Sequence, residues 1–161
     1  MTMQELHFRR ALSQDCALVY GWFLDPRTRS NSYSSNTVSL EDHTRWFEQR
    51  IGQTEAPYLM FSTAEHPDEL IGQVRIDLKP EGPVIGINLS PEHRGKGYAT
   101  PMLRAALGFF YQHNPKTIIV RAWIMDQNTA SQRAFTAAGF QFDHAAEVAG
   151  IPSALYLYQP E

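Results

Sequence analysis

Hydrophobic positions along the chain change their spacing several times, and each change marks a predicted element. An alternating run opens the chain, and two segments with apolar residues at helical spacing follow it. Ser13 is placed to cap the first helix, and Ser39 caps the second, which Gly52 ends. The predicted elements of this half are strands over Leu6–Leu12, Tyr58–Thr63, Leu70–Leu78 and Val84–Leu89, two helices after the first strand, and a loop over Arg27–Thr37 between those helices.

Strands and helices alternate in the second half of the chain. A loop over Pro91–Gly97 leads into a helix with an apolar face, and Asn114-Pro115 ends that helix. Short turns between the early strands predict antiparallel pairing, whereas the strand–helix–strand crossover that follows predicts a parallel pair. The predicted fold class is therefore a mixed α/β sheet with helices on both faces. The remaining elements are strands over Thr117–Ile124, Phe140–Phe142 and Leu155–Tyr158, and a helix over Asn128–Ala138 closed by Gly139.

Composition narrows the classes of function. The 161 residues suggest a single domain, and a 43% hydrophobic fraction is enough for a sizeable core. The net charge is −3 and the basic residues are dispersed, so we expect no nucleic-acid partner. The one cysteine, Cys16, fits a reducing compartment, and we interpret it as a buried hydrophobic residue of the first helix. Without a signal peptide or an apolar run near the roughly 20 residues of a membrane span, we expect a cytoplasmic protein with no membrane partner and no metal.

A basic glycine-rich loop between a strand and a helix is the most informative segment. It reads Arg94-Gly95-Lys96-Gly97-Tyr98-Ala99. A helix start offers unpaired N–H groups and the positive end of a dipole, and the glycines let the backbone approach a ligand closely. The segment therefore suits a pyrophosphate, although an ordinary tight strand–helix turn is an alternative. The Walker and dinucleotide patterns are both absent.

Two motifs resemble those of the GCN5-related N-acetyltransferases (GNAT). The loop from Arg94 to Ala99 is similar to the family's R/Q-x-x-G-x-G/A signature, and the segment from Asn128 to Phe140 is similar to its second signature. The resemblance implies a central mixed, largely antiparallel sheet of about seven strands, splayed at the cofactor site and flanked by about four helices. It also implies acetyl-CoA as the co-substrate and a small-molecule amine as the partner, with a homodimer as a further possibility.

The resemblance also assigns roles to individual residues. The strand before the loop is expected to carry a β-bulge and to diverge from its neighbour, with the backbone N–H of Leu89 facing the thioester carbonyl. The N–H groups from Arg94 to Ala99, with Lys96, Gly97 and Tyr98 among them, are expected to hold the pyrophosphate. Asn128 is expected to bind the pantetheine arm, to cap a helix, or both, and Arg133 is expected to reach the phosphates.

One position departs from the family pattern. Many members have a tyrosine where this chain has Phe135, and that phenol commonly protonates the leaving thiolate. Phenylalanine has no proton to donate. Ser131, one helical turn earlier, is a candidate replacement, and the alternative is that the thiolate leaves unassisted or through water.

The amine must lose a proton before it can attack, because an aliphatic ammonium has a pKa near ~10.4. Candidate bases are His43, Asp77, His144 and Glu147. His43 lies on the apolar stripe of the second helix, where a buried structural histidine is the alternative interpretation. Asp77 alternates with Arg75 on one strand face, so a surface salt bridge is its alternative.

A narrower resemblance concerns the acceptor. Three segments, which contain Arg29, His43 and Arg75, are similar to acetyltransferases of nucleotide-linked amino-deoxysugars. The residues that would contact such a substrate are Arg29, Asn31, Tyr33, His43, Trp46 and Arg75. The alternatives are a protein N-terminal acetyltransferase of the ribosomal-protein type and a non-catalytic acyl-CoA-binding module. In the enzymatic case we expect direct transfer to the amine, because no cysteine or serine has a recognisable activating neighbour.

Overall fold

The computed structural model describes residues 5–34 and 38–161. Strands and helices follow one another in the predicted order, with an additional short helix early in the chain. The strands are β1 (Leu6–Arg10), β2 (Tyr58–Thr63), β3 (Leu70–Lys79), β4 (Gly82–Leu89), β5 (Val120–Met125), β6 (Gln141–Val148) and β7 (Ile151–Tyr158). The helices are α1 (Cys16–Leu24), α2 (Pro26–Ser30), α3 (Leu40–Ile51), α4 (Ala99–His113) and α5 (Thr129–Ala137).

A single sheet of seven strands has the order β1-β2-β3-β4-β5-β7-β6. Neighbouring strands pair antiparallel, except for β4 and β5, which are parallel and connected through α4. The predicted mixed sheet, antiparallel for its first four strands, is therefore confirmed.

Helices cover both faces of this sheet. Alternate residues of β2 show the division, because Leu59 and Phe61 pack in one buried cluster and Tyr58 and Met60 in another. The first cluster contains the apolar faces of α4 and α5, and the second contains those of α1 and α3. Cys16 is buried in the second cluster, as predicted.

The sheet opens between β4 and β5. These strands pair at one position, Val84 with Arg121, and diverge beyond it toward their carboxyl ends. The register of β3 with β4 runs without interruption from Lys79–Gly82 to Gly72–Leu89, so the β-bulge expected in the strand before the loop is absent. The opening therefore arises from the divergence of two parallel strands, and β4 itself stays regular.

Three local expectations were wrong. The loop predicted over Arg27–Thr37 begins with helix α2, in which Asp25 accepts a hydrogen bond from the Thr28 N–H as an N-cap; residues 35–37 lie outside the described residues. Ser13 does not cap α1 but begins a short 3-10 turn, Ser13–Asp15. The last strands are longer than predicted, because β6 and β7 form a hairpin around Ala149 and Gly150, both with positive φ.

Two negative results concern the described residues. None of their helices has the length and apolarity needed to cross a membrane. They also contain no cluster of three or more histidine, cysteine, aspartate or glutamate side chains suited to a metal ion.

Candidate active site

A cleft of about 1170 Å³ enters the sheet where β4 and β5 diverge. One wall is formed by β4, the glycine-rich loop and the start of α4, and the opposite wall by the end of β5 and by α5. Residues of β3 and of the first three helices line its other end. The cleft therefore connects the predicted cofactor segment to the predicted acceptor residues.

Backbone groups of β4 face the open side of the cleft. The Ser90 N–H donates to the Ile71 carbonyl at 2.8 Å, so Ser90 pairs toward β3. Because successive residues of a strand direct their N–H groups to opposite edges, Leu89 and Ile87 direct theirs away from β3, toward the divergence from β5. This orientation is compatible with the role that the family resemblance implies for the Leu89 amide.

The glycine-rich loop leads directly into α4. Gly95 and Gly97 have φ values of 72° and 84°, which favour glycine. A Cβ at Gly95 would meet no atom within 4 Å, so the loop leaves open space on the cleft side. None of the described side chains caps the α4 start at Tyr98, so its first N–H groups remain available for an anion. The exposed Lys96 does not line the cleft.

The Arg94 side chain turns away from the loop toward the α1–α2 corner. Its guanidinium forms a 2.8 Å ion pair with Asp25 and donates to Thr28 Oγ1 at 2.9 Å. Burial alone would raise the pKa of Asp25, but the hydrogen bonds from Arg94 and Thr28 outweigh that effect and lower it. Thr28 in turn contacts Asn88 of β4 at 3.1 Å. The ion pair and hydrogen bond of Arg94 therefore connect the glycine-rich loop to the start of α2.

The start of α5 forms the opposite wall. Asn128 Oδ1 accepts a hydrogen bond from the Ser131 N–H at 3.2 Å, so the predicted helix cap is present. The side-chain NH2 group of Asn128 has no hydrogen bond among the described residues. Ser131 lines the cleft, as do Phe135 and the exposed Arg133. Phe135 is buried edge-on against Phe140, with ring centroids 5.0 Å apart.

His43 lies at the acceptor end in an aromatic environment. His43 is 4% exposed, and its ring centroid lies 5.0 Å from that of Tyr20 and 5.6 Å from that of Trp46. Among the described residues, Nε2 has no hydrogen-bond partner although it is buried. Burial, and secondarily the charge of Arg75, lower the pKa of His43, so the neutral imidazole dominates at neutral pH.

Asp77 does not line the cleft, and its carboxylate forms two ion pairs. One carboxylate oxygen accepts from Arg50 Nε at 2.9 Å, and the other lies 3.3 Å from Arg75 Nε. Arg50 is buried and also donates to backbone carbonyls of Ala56, Pro57 and Ile76. The contacts of Asp77 are therefore those of the salt-bridge alternative. The Arg75 guanidinium lies over the Trp46 ring, 5.0 Å from its centroid.

Side chains from the end of α2 and the segment that follows it line the cleft and form hydrogen bonds with other parts of the chain. Arg29 stacks on Phe23 at 3.5 Å and directs its hydrogen bonds to that residue's carbonyl, to Ser32 and to Ser34. Tyr33 donates to Ser153 on β7 at 2.8 Å, and the Asn31 side chain accepts from Gln127 at 3.4 Å. These three residues line the cleft, but the Arg29 guanidinium is occupied by the chain itself.

Three of the four candidate bases do not line the cleft: Asp77, and also His144 and Glu147 on β6. His144 is on the exposed edge strand β6, 2.6 Å from the Asp143 carboxylate, and Glu147 is exposed near the end of the same strand. Sequence reasoning missed Arg27, Gln73 and Tyr58, which all line the cleft; Tyr58 donates to Gln73. The alternation of β3 places Gln73 on the same face as Arg75, and that signal would have identified it.

Comparison with known families now identifies the class. The family model of the acetyltransferase (GNAT) domain matches residues 5–141. The chain therefore belongs to the GNAT family, and the expected class of enzyme, an acetyl-CoA-dependent N-acetyltransferase, is confirmed. A comparison with curated protein sequences gives no match.

Solved structures share the fold at low identity. The spermidine N-acetyltransferase from Vibrio cholerae, in complex with CoA and spermine, is 15% identical with a TM-score of 0.82 over 96% of this chain and 95% of that one. The aminoglycoside acetyltransferase AAC(6')-Ib, in complex with paromomycin and acetyl-CoA, is 15% identical with a TM-score of 0.80 over 96% and 93%. The putative acetyltransferase yncA from Salmonella typhimurium, with acetyl-CoA, is 18% identical with a TM-score of 0.74 over 96% and 93%.

Proposed function

We propose that this chain transfers the acetyl group of acetyl-CoA directly to a primary amine, and that the amine belongs to a nucleotide-linked amino-deoxysugar. The main support for acetyl transfer is the open edge of β4. Its outward N–H groups at Ile87 and Leu89 lead along the cleft to the uncapped start of α4.

The residues along this edge fit acetyl-CoA. An extended pantetheine arm needs unpaired strand groups, which β4 offers where it diverges from β5. A pyrophosphate needs N–H groups and open space, which Gly95, Gly97 and the α4 start provide. The co-substrate supplies an activated acyl group.

The remaining chemistry belongs to side chains and amides of the chain. The Leu89 N–H is oriented to donate to an oxygen that gains negative charge during transfer. His43 is neutral at pH 7, its Nε2 has no hydrogen-bond partner among the described residues, and it is the candidate acceptor for the proton of the ammonium group. Ser131 carries a hydroxyl on the cleft wall and is the candidate donor to the departing sulfur.

The amino-sugar part of the proposal rests on the acceptor end. Trp46 and Tyr33 provide ring surface, while Gln73, Asn31 and Arg75 provide polar groups suited to hydroxyls and phosphates. The support is thus the match between these side chains and the groups of an amino sugar, and a panel of substrates tests it.

The acetyl-CoA site is tested with a matched pair of glycine variants. Gly95 and Gly150 have φ values of 72° and 77°, and a Cβ at either would meet nothing within 4 Å. Aspartate tolerates this conformation better than most residues, so Gly95→Asp and Gly150→Asp carry similar strain, but only the first puts a negative charge in the cleft.

We expect Gly95→Asp to weaken acetyl-CoA binding at least about tenfold in calorimetry and Gly150→Asp to leave it unchanged. Equal affinity in both variants would contradict the placement of the pyrophosphate. Turnover is then measured as thiol release with a nucleoside-diphosphate-linked amino-deoxysugar, the free amino sugar and a peptide with a free N-terminus. Preference for the peptide would refute the sugar substrate, and tight binding without turnover of any amine would favour the non-catalytic module.

A further inference from the structure

We infer that the acceptor carries an anionic group, a phosphate or a carboxylate, which Arg75 and Arg27 bind, and that polycationic amines are poor substrates. The inference rests on the proposed transfer to an amine, but not on the amine being a sugar.

The first observation is the charge of the cleft. The described residues that line it include arginines from α2, β3, the glycine-rich loop and α5, but no aspartate or glutamate. Residues 1–4 and 35–37, which the structure does not describe, contain no acidic residue either. A substrate with several ammonium groups would therefore enter this cleft without a carboxylate to receive them.

Three acidic residues that contact or influence residues of the lining are themselves outside it. Asp25 is paired with Arg94, and Asp77 is paired with both Arg50 and Arg75. The cluster of Asp77 with its two arginines thus keeps a net positive charge. Asp126 is near enough to Tyr33 to contribute to its raised pKa, for which burial is the main cause, but Asp126 is exposed and does not line the cleft.

Arg75 presents unused donors to the cleft. Its Nε faces Asp77, and its two terminal nitrogens have no hydrogen bond within the described residues. Gly86 is the register partner of Arg75 on β4, and a Cβ at Gly86 would meet nothing within 4 Å. Because direct register partners share a face of the sheet, this glycine leaves room beside the guanidinium for a ligand group. A planar fork with free terminal nitrogens suits a carboxylate or phosphate.

Arg27, on α2, adds a second cation to the lining of the cleft. It is exposed, lines the cleft, and its side chain has no ion pair or hydrogen bond among the described residues. The neighbouring Arg29 differs, because its guanidinium is bonded within the chain.

Two of the aromatic rings that line the acceptor end already have a cation of the chain over one face. The Trp46 ring has the Arg75 guanidinium over it, and the Phe23 ring has that of Arg29 at 3.5 Å. Those two ring faces are therefore occupied by cations of the chain. Spermine and paromomycin, which are bound in two structures of similar fold, have the opposite charge to the one this cleft favours.

The test compares amines that differ in charge at saturating acetyl-CoA. The pairs are a nucleoside-diphosphate-linked amino sugar with the free amino sugar, an amino-sugar phosphate with its dephosphorylated form, and an amino acid with its amide; spermidine and an aminoglycoside complete the panel. We expect kcat/KM at least about tenfold higher for the anionic member of one pair. The phosphate and carboxylate pairs distinguish the two sources of charge.

Arg75→Gln should raise KM for the anionic substrate at least about tenfold, with a smaller change in kcat, and Arg75→Lys should recover part of the loss. Arg27→Gln changes an exposed residue and repeats the test without risk to the fold. Arg45→Gln is the matched control, because Arg45 is exposed on α3, pairs with Glu41 and Asp42, and lies outside the cleft.

Efficient turnover of spermidine or an aminoglycoside, at or above the anionic amines, would overturn the inference and leave the acetyltransferase intact. Unchanged KM in both Arg75→Gln and Arg27→Gln would also overturn it. No turnover of any amine, with acetyl-CoA binding intact, would refute the proposed function itself and the inference with it.

Discussion

Gly72 offers a direct test of the role given to the Leu89 amide. It lies on β3 directly opposite Leu89, in the register position where two strands approach most closely. A Cβ at Gly72 would stand 2.6 Å from the Asn88 carbonyl oxygen, 2.9 Å from Met102 Cε and 3.2 Å from Leu89 Cα. Met102 can rotate, but the other two atoms belong to the backbone of β4. Gly72→Ala must therefore displace the segment that carries the Leu89 N–H.

The size of the displacement follows from these distances. The Asn88 oxygen must move about 0.4 Å to reach the 3.0 Å limit of real Cβ contacts, and more to reach a relaxed distance. Extra volume in a packed interior costs about 1–3 kcal/mol of stability. A misplacement of about 1 Å near reacting groups costs roughly a hundredfold in rate, so we expect kcat to fall about tenfold.

The assay measures the free energy of unfolding in urea, the affinity for acetyl-CoA and the single-turnover rate with the best acceptor. Gly108→Ala is the control, because Gly108 lies on α4, where a Cβ would meet nothing within 4 Å. This control should keep its rate and gain up to about 1 kcal/mol of stability from helix propensity. A folded Gly72→Ala protein with wild-type rate would refute the role of the Leu89 amide.

Three further variants test other parts of the site and the fold. A general base works above its pKa, and burial and the charge of Arg75 lower the pKa of His43. The acidic limb of the pH profile of kcat/KM should therefore lie below the ordinary histidine pKa near ~6.5. His43→Gln should abolish this limb, and an identical profile in the variant would exclude His43 as the base. Ser131→Ala should slow the chemical step at least about tenfold if Ser131 protonates the thiolate, whereas an unchanged single-turnover rate would retire that role. Burial would raise the pKa of Asp15, but its hydrogen bonds from Arg9 outweigh this effect and lower the pKa. The stabilisation from the ion pair is therefore present above the unfolded pKa of Asp15 and is lost as the pH falls through the folded pKa. Asp15→Asn should lower the free energy of unfolding in urea by about 1–3 kcal/mol at pH 7 and by progressively less in acid, and a constant difference would contradict the ion pair.

Local signals in the sequence account for the parts of the site that were predicted. The glycine-rich loop and the cap at Asn128 each depend on residues close together in the chain. The geometry of a cap or a left-handed glycine is determined by its own few residues, so a sequence pattern is enough to predict it.

The partner of Asp77 illustrates what local signals cannot give. Its contact with Arg75 is two positions away and was an explicit alternative, whereas its contact with the buried Arg50 spans 27 residues and depends on how α3 packs on the sheet. The β6–β7 hairpin was missed for another reason. Pro152 stands in β7, where proline argues against a strand, and Ala149 adopts a positive φ that alanine rarely takes.

Donor and acceptor recognition depend on different features of the same two strands. The direction of the Leu89 N–H follows from the backbone register of β4, which any sequence able to form the strand would keep. The charge of the acceptor end follows from side chains such as Arg75 and from the space at Gly86, which can change without altering that register. Substrate charge can therefore differ between proteins that share this fold, while the proposed binding edge for acetyl-CoA is kept. For this reason the shared fold leaves the acceptor open, and the arginines of this cleft are the better guide to it.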